Sequence, residues 1–109
     1  MREITLKEMC SSTGLTRRTI QGYEQFGLVS AIKKNKYGHL IYDEQCLKRI
    51  ETIHFYQELK FSLKEIKELI DAPNQTIKNA LIKNVRQLKN ETEHLNNIID
   101  QAETIINTL

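Results

Sequence analysis

Cysteine is scarce in this 109-residue chain, which carries only Cys10 and Cys46. Two cysteines are too few for a disulfide framework, and a reducing cytosol would keep both as thiols. They read as small, buried or half-buried residues. No apolar run reaches the roughly 18 residues a membrane-spanning helix needs. The opening "MREITLKEM" lacks the apolar centre of a signal peptide, so the chain reads as cytoplasmic. Catalytic groupings are missing as well. The carboxylates are dispersed as helix charges, His39, His54 and His94 lie far apart, and no nucleophile motif or phosphate-cradling glycine loop is present. Nothing here points to an enzyme, a cofactor or a metal ligand set. The single proline, Pro73, acts as punctuation.

What is there supports a modest core. Apolar residues make up 39% of the chain. A chain of this length buries a smaller fraction of its surface than a large domain, so oligomerisation would help it. The net charge of +2 is small but unevenly placed. Residues 1–50 hold nine Lys/Arg against five Asp/Glu, and residues 51–109 hold seven against nine. An anionic partner is therefore expected at the front half.

The front half reads as helix, turn, helix. Thr5 and Glu8 have the spacing of a capping box, which satisfies two orphan N–H groups at a helix start. A first helix runs from about Leu6 to Ser12, with Leu6, Met9 and Cys10 on one face. Gly14 suits the left-handed conformation that ends a helix, and Thr16 suits an N-cap. The second helix covers about Arg17 to Gln25, with Ile20, and Tyr23 as a second candidate, facing inward. Two short helices joined by a turn containing glycine form a helix-turn-helix, whose second helix places its first turn in the DNA major groove. Arg17 and Arg18 occupy that turn. Arginine is unfavourable there for the helix dipole, and a polyanionic partner offsets the mismatch.

Residues 29 to 42 change character. Ile32, Leu40, Ile41 and Tyr42 suit strands, and "NKYG" suits a hairpin turn with Asn35 and Gly38 as turn residues. Lys33, Lys34 and Lys36 crowd the tip. A two-stranded wing with a basic tip would reach phosphates beside the helix-turn-helix. A third helix is expected from Asp43, its N-cap, to about Leu59. Ser62 and Glu65 form another capping box, opening a fourth helix, "LKEIKELI", with Leu63, Ile66, Leu69 and Ile70 on one face.

The last segment, Gln75 to Leu109, holds neither glycine nor proline. Leu81, Val85, Leu88, Thr92, Leu95, Ile99, Ala102, Ile106 and Leu109 alternate spacings of four and three, a heptad seam of about four heptads. Ile98 and Ile105 widen it near the end. So small a front domain cannot cover such a stripe, and a second copy of the chain is the natural partner.

Three stretches, "GLTRRTIQGYEQFGLV", "NKYGHLIYDEQCLKRI" and "LKFSLKEIKELI", together resemble the MerR-type transcriptional regulators. The resemblance covers Ile4 to about Ile70, and the long helix extends it. It implies a mainly α fold: a winged helix-turn-helix domain over residues 1–72, with the helix-turn-helix at about 5–25 and the wing at about 29–42. A dimerisation helix over residues 75–109 would form an antiparallel coiled coil in a homodimer. The implied function is regulation of transcription from a palindromic promoter element, which the dimer bends and untwists for RNA polymerase, with the protein on nucleoid DNA. Such distortion is indirect readout. Thr16, Arg17, Arg18, Gln21 and Tyr23 would face DNA from the recognition helix, Tyr23 on a backbone phosphate. Lys33, Lys34, Lys36, Tyr37 and His39 would do so from the wing. Leu81, Val85, Leu88, Leu95, Ile99, Ile106 and Leu109 would pair the chains.

The family pattern of Arg-Tyr-Tyr-Glu is here Gln21-Gly22-Tyr23-Glu24, and its wing Gly-Tyr-Arg is Gly38-His39-Leu40. A helix arginine and a wing arginine are thus replaced, and lysine cannot copy a bidentate arginine fork. The family's metal and redox sensors use cysteines late in the long helix. This chain has none after position 46, which argues against a thiolate metal site or an iron–sulfur cluster. Its drug-sensing members carry a separate C-terminal ligand domain, whereas this sequence stops at the coiled coil. Cys46 is the one sensor candidate, because a helix N-terminus can lower a thiol pKa. Two rival readings compete: an excisionase-like architectural DNA-binding protein, and a coiled-coil module that binds a different chain.

Overall fold

The computed structural model describes residues 2–109. They fall into two units, one running to Asp71 and one spanning Ala72–Leu109.

The first unit begins with a strand that the sequence pattern does not reveal, β1 at Ile4–Thr5. Helix α1 follows at Leu6–Thr13 and α2 at Arg17–Gln25. The hairpin comprises β2 at Lys33–Lys34 and β3 at Leu40–Tyr42. Helices α3 at Glu44–Glu58 and α4 at Leu63–Leu69 complete the unit. The wing is therefore three-stranded and not two-stranded, in the order β1-β3-β2, all antiparallel. Ile4 pairs with Tyr42 and Lys33 with Ile41. Ile32, expected in a strand, precedes β2, though its N–H still donates to the Ile41 carbonyl.

Local chemistry sets the helix starts. The Thr5–Glu8 and Ser62–Glu65 capping boxes both form, and Thr16 and Asp43 accept the N–H groups of Thr19 and Cys46. Gly14 closes α1 at φ 74°, a left-handed conformation that costs a residue without Cβ nothing.

The core draws on every element of this unit except β2, whose two lysines are exposed. Ile4, Met9, Ile20, Tyr23, Leu28, Tyr42, Ile50, Ile53 and Ile66 are fully buried. Each such side chain contributes roughly 1.5–3 kcal/mol of apolar burial. Helix α1 packs on α2, α3 and the sheet, and α3 packs on α4. Arg49 of α3 adds a polar tie. It donates to the Leu28 carbonyl and forks onto both carboxylate oxygens of Asp71, at 2.8 and 2.9 Å.

The second unit is one helix, α5, at Asn74–Thr108, 35 residues and so about 52 Å long. No residue of it is buried. Val85, Leu95, Ile98, Ile99, Ile105, Ile106 and Leu109 all lie exposed, while Leu81 and Leu88 are half-buried.

Candidate nucleic-acid interface

Helix α2 presents two faces. Ile20 and Tyr23 enter the core, while Arg17, Arg18, Gln21 and Gln25 are exposed. Thr16 is exposed too, but its hydroxyl holds the Thr19 N–H at 3.1 Å and so serves the helix start. Both arginines stand at the positive end of the helix with no acidic residue in its first turn.

The wing tip is shaped by Asn35. Its side-chain oxygen accepts from the N–H groups of Tyr37 and His39, at 2.9 and 3.0 Å. Gly38, at φ 79°, returns its N–H to the Asn35 carbonyl. An asparagine that bonds its own turn backbone fixes the tip without help from the core. The tip thus projects Lys34, Lys36, Tyr37 and His39 outward. Tyr37 is 70% exposed, with the Lys36 ammonium 5.1 Å from its ring centroid and the His39 ring 6.3 Å away. Lys33 differs from its neighbours, because it pairs with Glu3.

Helix α2, the start of α1 and the wing enclose a cleft of about 470 Å³. Thr5, Leu6, Lys7, Arg17, Gln21, Gly38, His39 and Leu40 line it, and none of them is acidic. The structure thus brings Arg17, Gln21 and His39 together. Arg18, Lys34, Lys36 and Tyr37 lie outside the cleft. Lys7 is a lining residue that the sequence does not single out. Its place in α1 marks it only as a surface position, and the approach of the wing turns that surface into a wall.

Tyr23 departs from the phosphate contact that the family resemblance implies. It is 2% exposed, and its hydroxyl donates to Gln57 Oε1 at 2.6 Å. Burial pushes its pKa up. A ring enclosed among core residues offers DNA no face, so Tyr23 anchors α2 to α3. Tyr42 acts likewise from β3, donating its hydroxyl to Glu24 of α2. Burial, and then the neighbouring Glu24 carboxylate, push the Tyr42 pKa up. These two hydroxyls lock the helix to α3 on one side and to the wing on the other.

Cys46 corrects the sensor reading. Its thiol is buried and donates to the Ser30 carbonyl at 3.4 Å. Burial pushes its pKa up, which outweighs the helix N-terminus that would lower it. Among the described residues no cluster of three His, Cys, Asp or Glu side chains could hold a metal ion, and no helix is long and apolar enough to cross a membrane.

A two-helix motif with an exposed basic first turn, flanked by a basic hairpin, defines the winged helix-turn-helix class. Within that class the chain belongs to the MerR HTH family of regulatory proteins, whose family model matches residues 4–73. The chain is 39% identical over 64 residues to the nodulation protein NolA of Bradyrhizobium sp. (strain NC92), covering 59% of this chain and 27% of that protein. It is 30% identical over 104 residues to the HTH-type transcriptional activator Mta of Bacillus subtilis (strain 168), covering 95% of this chain and 39% of Mta. The chain therefore spans less than half the length of the curated relatives it matches. The crystal structure of MtaN, the N-terminus of the B. subtilis multidrug transporter activator, superposes with a TM-score of 0.73 at 26% identity, over 94% of this chain and 96% of that one. HiNmlR, a MerR family regulator lacking the sensor domain and solved bound to promoter DNA, gives a TM-score of 0.75. It is 18% identical over 91% of this chain and 86% of its own, a likeness of fold.

Proposed function

We propose that the chain is a sequence-specific DNA-binding regulator of transcription that works as a homodimer. The observation that carries this reading is the cleft between α1, α2 and the wing, where Lys7, Arg17, Gln21 and His39 converge without an acidic side chain. The first turn of α2 enters the major groove, where Arg17, Arg18 and Gln21 reach base edges. Lys34, Lys36 and Tyr37 of the wing, with Lys7, hold backbone phosphates and set the register. The transcriptional role is supported by the family and by the activator Mta and the promoter-bound HiNmlR.

The pairing of two chains is supported by α5. Its exposed apolar stripe needs a cover, since water-exposed Leu and Ile at heptad spacing are stabilised by a second helix. Its charges give the direction. Lys78, Lys83, Arg86 and Lys89 precede Glu91, Glu93, Asp100 and Glu103, so one half is wholly basic and the other wholly acidic. A lone helix disfavours that order, because its dipole is positive at the N-terminus and negative at the C-terminus. An antiparallel pair lays each basic half against an acidic half. The resulting two-fold symmetry calls for a palindromic operator. Bending and untwisting of a promoter for RNA polymerase, on nucleoid DNA in the cytoplasm, is the family mechanism that this dimer fits.

The test is a gel-shift series at increasing salt on DNA from upstream of the chain's own coding sequence, with a random duplex as competitor. Specific binding by two chains per duplex, weakening steeply with salt, is the expected result. Arg17→Ala and Arg18→Ala should each cost about 1–3 kcal/mol. Binding no tighter than to the random duplex would sink the reading.

A further inference from the structure

His39 stands on the wing, at the rim of the cleft that the wing forms with α1 and α2. Its backbone is pinned both ways. Its N–H donates to Asn35 Oδ1 at 3.0 Å, and its carbonyl accepts the Asn35 N–H at 2.9 Å. The side chain is exposed, with its ring 6.3 Å from that of Tyr37. Among the lining side chains it alone is of a type that changes charge near neutral pH, because an ordinary imidazole titrates near about 6.5.

The free charges that face it share one sign. Lys7 comes from α1 and Arg17 from α2, while Lys34 and Lys36 flank it on the hairpin. The acidic groups of the same elements are engaged elsewhere. Glu3 pairs with Lys33, Glu8 accepts from the Thr5 N–H and hydroxyl, and Glu24 accepts from the Tyr42 hydroxyl. Beyond β3, Asp43 holds the Cys46 N–H and Glu44 pairs with Arg2. The cleft itself therefore offers an imidazolium no counter-charge, and a phosphate laid in it supplies one. This is also where the chain departs from the family wing pattern, Gly-Tyr-Arg, which here reads Gly38-His39-Leu40. A permanent wing charge is gone, and a conditional one stands beside its place.

We propose that His39 makes DNA binding proton-linked: its imidazole takes up a proton as a backbone phosphate enters the cleft, and the resulting ion pair strengthens the grip of the wing. This rests on the reading of the cleft as the DNA interface. An opposite charge within about 4–6 Å favours the charged imidazole. Linkage is reciprocal, so the factor by which DNA tightens the hold on the proton is the factor by which the proton tightens the hold on DNA. Two chains on a palindrome bring two such histidines, and the effect enters twice. The sign follows: affinity rises as pH falls from about 8 to about 6. That window lies above the range in which the depressed Asp43 and Asp71 carboxyls lose their charge, so their titration does not contribute to it.

The test titrates a duplex that the wild-type protein enriches from a randomised library, by fluorescence anisotropy at fixed ionic strength from about pH 8 to about pH 6. Affinity about fivefold tighter per chain at the acid end is expected, if the phosphate makes the imidazole hold its proton about tenfold more tightly. His39→Gln should lose that dependence. His39→Lys, whose charge is permanent, should bind tightly and evenly across the range. The double variant His54→Gln with His94→Gln should keep the wild-type profile. Calorimetric titration in buffers of different ionisation heat should report proton uptake by the wild type and not by His39→Gln. A His39→Gln protein with the wild-type profile overturns the proposal, as does a flat wild-type profile on an enriched duplex, and the regulator reading survives both. If the wild-type protein enriches no sequence, that reading fails and takes the proposal with it.

Discussion

Tyr23 and Tyr42 both commit their hydroxyls inside the chain, to Gln57 and Glu24. A phosphate-contacting tyrosine and an anchoring tyrosine differ in what their loss does. Tyr23→Phe keeps the ring and leaves the half-buried Gln57 amide oxygen without its partner, which should cost about 1–3 kcal/mol of stability in urea unfolding. DNA affinity measured well below the melting point should hold within a factor of two or so, because the recognition helix keeps its place through its packing. A large affinity loss with unchanged stability would return Tyr23 to the phosphate backbone. The periodicity of α2 already allows Tyr23 to face inward, since it lies three residues after Ile20. Its partner Gln57 is 34 residues away, and no local pattern in the sequence points to it.

At the scale of elements, helix starts were the most legible feature. Thr5, Thr16, Asp43 and Ser62 act through bonds three residues long, so a short window of sequence contains the whole interaction. Strand β1 was not legible, because two residues carry no alternation and its existence depends on β3, some 37 residues later. The cleft shares that fate in part. Arg17 and Gln21 could be read from the helix-turn-helix, whereas Lys7 joins them only through the approach of the wing. For α5 the charge order yields a sharp expectation. Glu91→Lys with Glu93→Lys should weaken self-association, as sedimentation equilibrium would report, and adding Arg86→Glu with Lys89→Glu should restore it. Failure of the restoring pair would argue against antiparallel alignment. A charge in the seam, Leu95→Glu, should dissociate the pair in either alignment and reduce operator binding with it.

For the molecule as a whole, acid should loosen the first unit by a route the charges define. The Cys46 N–H at the start of α3 holds the Asp43 carboxyl below its ordinary value, and the Arg49 fork does the same for Asp71. The folded chain thus binds these protons less readily than the unfolded chain. The stability they contribute is fully present above the unfolded aspartate value of about 3.9 and is lost as pH falls through the lower folded values. Thermal melts from pH 6 downward should show that decline, and Asp71→Asn should flatten it. An unaltered acid limb in that variant would show that the Arg49 fork adds no stability.

The division of charge along α5 also bears on how any salt titration of this protein is read. Counterion release counts phosphates through the slope of affinity against salt. An antiparallel pair held partly by basic halves on acidic halves loosens in the same salt range. At protein concentrations below the pairing constant, one slope then sums two processes, phosphate release and chain separation, and overstates the number of DNA contacts. Above that constant the excess vanishes, so the difference between the two slopes measures how many ions the coiled coil itself takes up as it opens.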